Sequence, residues 1–169
     1  MTDPAKQRRG LVVMGVSGAG KTSVGQAIAA RSGLSFVDGD SLHSAANVAK
    51  MHAGIALDDA DRAPWLDAVG AVLGDIDHYP AGVVVACSAL KRSYRDRLRA
   101  ASGGCRFLYL ALTPEVAKLR VGHRPGHFMP SSLVADQFAT LEAPGSDEID
   151  VSTVDAGLPP ETIIAGFAA

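Results

Sequence analysis

The sequence predicts a three-layer α/β domain in which helices cover both faces of a five-stranded parallel sheet. Short apolar runs alternate with helical patterns along the whole chain, which is typical of such a sheet. The length of 169 residues suits one domain with a substantial core. Any function must therefore be carried by residues gathered on one sheet.

The individual elements follow from the apolar runs and from helix start and stop signals. The apolar runs predict strands at 11–15, 34–38, 82–87, 106–111 and 149–154. The segments between and after them predict helices at 21–31, 61–77, 91–101, 114–123, 131–141 and 160–167. Gly33 is a typical stop for the first helix. Thr113 followed by Pro114 is a typical helix start, and Pro160 opens the last helix in the same way.

A glycine-rich loop follows the first predicted strand. Residues 15–22 match the phosphate-binding pattern G-x-x-x-x-G-K-[ST] at every fixed position. Glycines let successive N–H groups turn toward an anion, Lys21 reaches the outer phosphates, and the Thr22 hydroxyl can ligate Mg²⁺. The start of the next helix adds its positive dipole end. The pattern predicts a P-loop NTPase fold, against the alternative of a turn that binds nothing.

The predicted nucleotide site covers the whole loop and the residue after it. Its members are Gly15, Val16, Ser17, Gly18, Ala19, Gly20, Lys21, Thr22 and Ser23.

Composition narrows the class of partner. Sixteen basic and eighteen acidic side chains give a net charge of −2, which favours small molecules over nucleic acid. Cys87 and Cys105 lie in apolar runs, which indicates a reduced, cytoplasmic interior. Residues 1–9 form a polar tail without the apolar core of a signal peptide, and no stretch approaches the ~20 apolar residues that span a bilayer. We expect a single domain over 10–169.

Two carboxylates follow the second predicted strand, where ligands collect in open parallel sheets. Of Asp38 and Asp40, one could hold Mg²⁺ and the other could orient or deprotonate an acceptor hydroxyl. The alternative is a turn in which Asp40 or Ser41 caps the next helix. The third strand ends without an acidic residue, so a metal carboxylate would come from Asp38 or Asp40.

Cations follow the third predicted strand. Lys91 and Arg92 stand in the first turn of a predicted helix, where the dipole disfavours positive charge, so a nearby anion is expected. Arg95 and Arg99, one turn apart, favour a solvated helix face.

The segment 120–130 joins two predicted helices and is rich in glycine, proline and cations. It predicts a small helical lid whose Arg120 and Arg124 swing onto the transferred phosphate. A plain connection between helices is the alternative.

Longer strings carry a family resemblance over nearly the whole chain. The chain resembles the small, thermoresistant type of bacterial gluconate kinase, within the shikimate-kinase-like group of P-loop kinases. Besides the loop, the resemblance rests on Asp38-Gly39-Asp40, Asp59-Ala60-Asp61-Arg62-Ala63-Pro64-Trp65, Cys87-Ser88-Ala89-Leu90-Lys91 and His127-Phe128-Met129-Pro130.

The resemblance implies transfer of the ATP γ-phosphate to the 6-hydroxyl of D-gluconate by a homodimer. It implies catalytic roles for Lys21, Asp40, Arg120 and Arg124, with Thr22 and Asp38 on Mg²⁺. The implied gluconate contacts are Asp40, His43, Asn47, Arg62, Ser88, Lys91, Arg92 and His127.

The chain departs from the family pattern at Asp136, where a serine is expected before Gln137. Trp65 is expected mostly in the core. Two other functions stay open: a related kinase for another sugar acid or shikimate, and a nucleotide-binding protein that transfers no phosphate.

Overall fold

The chain forms one five-stranded parallel sheet in the order β2-β3-β1-β4-β5. The computed structural model describes residues 10–122 and 131–167, apart from the side chains of Ser131 and Ser132. The strands are β1 (Gly10–Met14), β2 (Ser35–Asp38), β3 (Val83–Ala86), β4 (Arg106–Ala111) and β5 (Val151–Asp155). The predicted fold class, a parallel five-stranded P-loop fold, is confirmed.

Helices cover both faces of this sheet. Within the described ranges they are α1 (Lys21–Ser32), α2 (Ala45–His52), α3 (Asp59–Gly74), α4 (Arg92–Ser102), α5 (Pro114–Gly122), α6 (Ser131–Thr140) and α7 (Pro160–Ala165), with a 3₁₀ helix at Gly39–Leu42. No helix in the described part of the chain has the length and apolarity to cross a bilayer.

The alternation of side chains along β1 divides the core in two. Val12 and Met14 pack with α3 and α4 on one face. Leu11 and Val13 pack with α1 and α7 on the other. Because β1 is central and buried on both faces, every one of its residues is apolar or glycine.

The segment between β2 and α3 differs from the prediction. The sequence predicts no element between 38 and 61, whereas the structure has the 3₁₀ helix and α2 there. Ser44 caps α2 by accepting a hydrogen bond from the Asn47 amide, and α2 is only eight residues long, which is shorter than the window over which helical periodicity is recognised. Helix α3 begins at Asp59 because Asp58 and Asp61 form a reciprocal capping box.

The expectation of a solvated helix face is wrong for Arg95. Its side chain is 1% exposed and forms two hydrogen bonds to Glu148, from Nε to Oε1 at 2.7 Å and from Nη2 to Oε2 at 2.8 Å. Arg99 is partly buried as well and pairs with Glu148 and Asp150. These acidic partners of Arg95 and Arg99 lie about fifty residues further along the sequence, so helical periodicity cannot reveal them.

The buried guanidinium also organises two loops. Arg95 donates to the carbonyls of Ala89 and Leu90 just after β3, and to the Glu142 carbonyl after α6. A single side chain in α4 therefore ties the end of β3 to the end of α6.

Both cysteines are buried and free, as the apolar runs predict. Burial raises the pKa of the Cys87 thiol to about 12 and that of the Cys105 thiol to about 11. Both thiols are therefore protonated and poorly nucleophilic at neutral pH.

We expect Glu148→Gln to lower the free energy of unfolding by about 3–5 kcal/mol at neutral pH, because it leaves the buried Arg95 cation without its carboxylate. Hydrogen bonds from Arg95 lower the pKa of Glu148 from 4.5 to about 2. The ionised Glu148 carboxylate therefore stabilises the fold fully above its own unfolded-state pKa. This stabilisation is lost as the pH falls toward 2. Urea unfolding from about pH 7 down to about pH 3 measures both effects.

The matched control is Asp67→Asn, which removes the exposed pair with Arg97. Its loss of stability should be much smaller than that of Glu148→Gln, because solvent screens an exposed pair. An equal loss in both variants, or a Glu148→Gln loss that does not shrink in acid, would contradict this account.

Candidate active site

The loop between β1 and α1 has a backbone suited to an anion. Gly15, Gly18 and Gly20 adopt positive φ angles of 147°, 87° and 92°. Gly20 is the N-cap of α1, and a Cβ there would meet nothing within 4 Å, so the start of the helix faces open space. No side chain of the described residues caps α1. The backbone at the start of α1 thus has a geometry that suits an anion.

Hydrogen bonds at this loop show how its polar groups point. Lys21 Nζ donates to the carbonyls of Gly15 and Val16, both at 3.0 Å, so the side chain lies along the loop. The Ser17 amide donates to Oε1 of Gln137 in α6 at 2.6 Å. The Ser17 amide thus binds an oxygen acceptor of this chain in the way that it would bind a phosphate oxygen. The donor set therefore fits the phosphates of a nucleotide.

A cavity of about 280 Å³ opens on this loop. The sequence-predicted residues that line it are Ser17, Gly18, Gly20, Lys21, Thr22, Asp40, His43, Arg62 and Ser88. These residues come from the loop, from the ends of β2 and β3, and from α3. The parallel sheet brings them together because it places the ends of β1, β2 and β3 at one edge.

The remaining predicted residues of the described ranges do not line that cavity. Gly15, Val16 and Ala19 are buried within the loop, and Ser23 is exposed on α1. Arg124 and His127 lie outside the described residues. Asp38, Asn47, Lys91, Arg92 and Arg120 have other contacts, which are given below.

The two carboxylates after β2 occupy different positions. Asp38 Oδ1 accepts a hydrogen bond from the Asp40 amide at 3.0 Å and so caps the 3₁₀ helix. The cap is thus Asp38, not Asp40 or Ser41 as the alternative expectation had it. The carboxylate of Asp40 lines the cavity. Gly39 between them is essential to this arrangement, since a Cβ there would stand 2.3 Å from the Ala86 carbonyl of β3.

An aromatic wall stands beside Asp40. Trp65 is 3% exposed and belongs to the core, but it also lines the cavity. Its Nε1 donates to the Gly39 carbonyl at 2.8 Å. The His43 ring stacks on the indole with centroids 4.1 Å apart. Buried Asn47 holds this corner by donating to the Asp61 carbonyl, and it lies 3.3 Å from His43 Nδ1.

The environment of His43 favours its neutral form. Burial lowers the pKa of His43 and outweighs the nearby charge of Asp40, which acts in the opposite direction. A neutral imidazole has one donor and one acceptor nitrogen, which suits a hydroxylated ligand.

The candidate cations have different partners. Arg62 lines the cavity, and its Nη1 donates to the Tyr94 hydroxyl at 3.0 Å. Lys91 is the N-cap residue of α4 and forms an ion pair with Asp59 at 3.0 Å. The anion expected near the first turn of α4 is thus present as a carboxylate of this chain.

Two more arginines lie near the cavity. Arg92 pairs with Asp147, an exposed carboxylate that precedes β5. Arg120 in α5 donates to the carbonyls of Gly18 and Ala156, at 3.2 and 2.8 Å. It therefore lies against the backbone of the phosphate-binding loop, at the described end of the predicted lid.

Some cavity residues were missed by sequence reasoning. Asp136 and Gln137 of α6 line it, and the departure from the family pattern at Asp136 was the one available signal. An apolar wall of Val48, Met51, Ile55 and Leu57 also lines it. These four residues belong to no chemical motif. Their place in the cavity wall follows only from the position of α2 and of the loop after it.

The fold and the loop define a P-loop kinase, and comparison with known proteins makes the class more specific. The sequence profile of the shikimate kinase family matches residues 17–166. A gluconokinase of Gluconobacter oxydans is 49% identical over 140 residues, covering 83% of this chain and 79% of that protein. The thermoresistant gluconokinase of Escherichia coli is 40% identical over 154 residues, covering 91% and 88%.

A solved structure agrees with these matches. The crystal structure of a gluconokinase from Sinorhizobium meliloti superposes with a TM-score of 0.83 and 48% identity, over 94% of this chain and 89% of that one. The chain belongs to the gluconokinases of the shikimate kinase family. The resemblance drawn from the sequence strings is confirmed.

Trp65 is the single tryptophan of the chain, so its fluorescence reports on this corner. A protonated imidazole quenches a stacked indole, so we expect the emission to fall in acid with a midpoint below 6.5, the ordinary pKa of histidine. A fluorescence titration measures it. His43→Gln should abolish the transition, whereas His52→Gln, a change at an exposed histidine of the same cavity, should retain it. A transition that persists in His43→Gln would refute the assignment.

Proposed function

We propose that this protein transfers the γ-phosphate of ATP to the 6-hydroxyl of D-gluconate, with ADP and 6-phosphogluconate as products. The observation that carries the proposal is the shared cavity. Lys21 and Thr22 of the phosphate-binding loop line it together with Asp40 and Arg62, a carboxylate and a cation suited to a hydroxylated acid. The gluconokinase relatives support the choice of acceptor.

At the nucleotide end, the loop amides and Lys21 bind the phosphates. Lys21 leaves the Gly15 and Val16 carbonyls to reach the transferred phosphate. Bound Mg²⁺ would neutralise charge on the phosphate oxygens, held by the Thr22 hydroxyl and by Asp38 or Asp40. Asp40 is the one of the two that lines the cavity.

At the acceptor end, Asp40 accepts the hydrogen bond of the 6-hydroxyl. The hydroxyl oxygen forms the new bond to phosphorus, the bond from phosphorus to the bridging oxygen of ADP breaks, and the hydroxyl proton passes to Asp40. Because the transition state is loose, positioning contributes more than base strength. His43 and Ser88 also line the cavity and are suited to the other hydroxyls.

Arg62 is our candidate for the gluconate carboxylate. A guanidinium matches a carboxylate with paired donors. Lys91 and Arg92 stay candidates for the same carboxylate, although each would first have to leave its own carboxylate partner. Arg120, Arg124 and His127 are proposed to act from the lid once nucleotide is bound.

The single domain over 10–169, the homodimer and the cytoplasmic location stay predictions. The two other functions that the sequence left open differ from the proposed one in what the assay below would detect. A kinase for another sugar acid would use the same loop with another acceptor, and a nucleotide-binding protein would bind ATP without turnover.

We expect a coupled assay of ADP formation with Mg-ATP to give strong turnover with D-gluconate alone among gluconate, shikimate, glycerate and related sugar acids. Turnover with a different acid would support kinase activity but would contradict D-gluconate as the acceptor. Binding of ATP with no turnover on any acid would favour the regulatory function.

We expect Asp40→Asn to lower kcat by about 10²–10⁴-fold while ATP binding is retained, because it removes the group that orients the acceptor hydroxyl. Asp38→Asn is the comparison variant, because Asp38 is the other candidate ligand for Mg²⁺, and we expect it to lower kcat less than Asp40→Asn does. An asparagine oxygen can still cap the 3₁₀ helix, so that variant loses a charge that does not line the cavity. Steady-state kinetics and ATP titration measure both. Equal, small effects would rule out the role of Asp40.

A further inference from the structure

The three candidate cations differ in how their charge is balanced. Lys91 and Arg92 each contact a carboxylate directly, Asp59 and Asp147. Arg62 forms no ion pair within residues 10–122 and 131–167. Its hydrogen-bond partner there is a neutral oxygen, the hydroxyl of Tyr94. A neutral group therefore holds Arg62 in place, and no carboxylate of the described ranges directly balances its positive charge.

The hydrogen bonds at Tyr94 have one possible direction. The Tyr94 hydroxyl donates to Asp59 Oδ1 and accepts from Arg62 Nη1. A guanidinium can only donate and an ionised carboxylate can only accept, so the one hydroxyl proton has to point to Asp59. Hydrogen bonds from Tyr94 and Lys91 lower the pKa of Asp59, which keeps this carboxylate ionised. The lone pairs of the hydroxyl therefore face Arg62.

The ring of Tyr94 contributes a second restraint. Arg62 Cζ lies 5.4 Å from the ring centroid and Lys91 Nζ lies 5.5 Å from it. Both distances are within the range of cation–π attraction. Tyr94 is itself 5% exposed and packed in the core beneath α3, so it is a rigid support.

We propose that Tyr94 is a positioning residue that pre-orders Arg62 for the carboxylate of the acceptor. This inference rests on the proposed function. A free arginine side chain loses rotamer entropy when it is immobilised, and prior ordering removes part of that cost from binding. Tyr94 thus favours an acceptor with a carboxylate without touching it.

The test compares Tyr94→Phe, Arg62→Gln and the double variant by steady-state kinetics with gluconate and ATP. Tyr94→Phe keeps the ring and its packing and removes only the hydroxyl. We expect KM for gluconate to rise about tenfold, with kcat and KM for ATP changed less than about twofold. In the Arg62→Gln background, the same change should have no further effect on KM. Tyr79→Phe, at a half-buried tyrosine away from the cavity, is the control.

The outcomes separate this inference from the function on which it rests. Wild-type protein without gluconate turnover overturns both. Wild-type turnover with an unchanged KM in Tyr94→Phe overturns the positioning role alone. A fall in kcat that matches the rise in KM, or equal effects of Tyr94→Phe with and without Arg62, also overturns it, because a purely structural defect produces both.

Discussion

The rest of the site depends on the parallel pairing of β1 with β3. In that register Val13 pairs with Ala86, and the Cys87 amide continues the pairing by donating to the Val13 carbonyl. The Gly15 amide then donates to the Ser88 carbonyl at 3.3 Å. The phosphate-binding loop and the segment after β3 thus leave the sheet side by side. A shift in this register would separate the nucleotide end of the cavity from the acceptor end.

The buried ion pair of Arg95 and Glu148 stabilises the same edge of the sheet. Arg95 connects the segment after β3 to the end of α6 through carbonyls, and Glu148 balances its charge. Helix α6 in turn brings Gln137 to the Ser17 amide. A buried ion pair adds little net stability compared with apolar packing, but it specifies one arrangement because no other satisfies its donors. Here that arrangement relates the loop after β3 to the helix over the phosphate site.

The cations around the cavity are held in different ways. Carboxylates of the chain balance Lys91 and Arg92, whereas the Tyr94 hydroxyl holds Arg62. A site for an anionic substrate needs a cation whose charge is not already balanced by a carboxylate, and a neutral oxygen can orient such a cation. Asp40 is the cavity carboxylate that we propose to bind the acceptor hydroxyl.

The sequence by itself determined the fold class and the chemical class, because both depend on local patterns. Apolar runs of strand length and the spacing of Gly15, Gly20, Lys21 and Thr22 are short-range features that were recognised correctly. The strings around Asp61 and Lys91 identified the family. The existence of α2 was missed, since its eight residues are too short a segment for helical periodicity to be recognised.

Only the tertiary structure decided which polar residues share a cavity. The sequence does not distinguish the roles of Asp38 and Asp40. In the structure Gly39 lies close to β3, and the Asp38 carboxylate contacts the backbone whereas the Asp40 carboxylate faces the cavity. Arg95 has the spacing of an exposed residue, but Glu148 lies fifty-three positions away. Contacts at such separations depend on how helices pack on the sheet, and no local pattern encodes them.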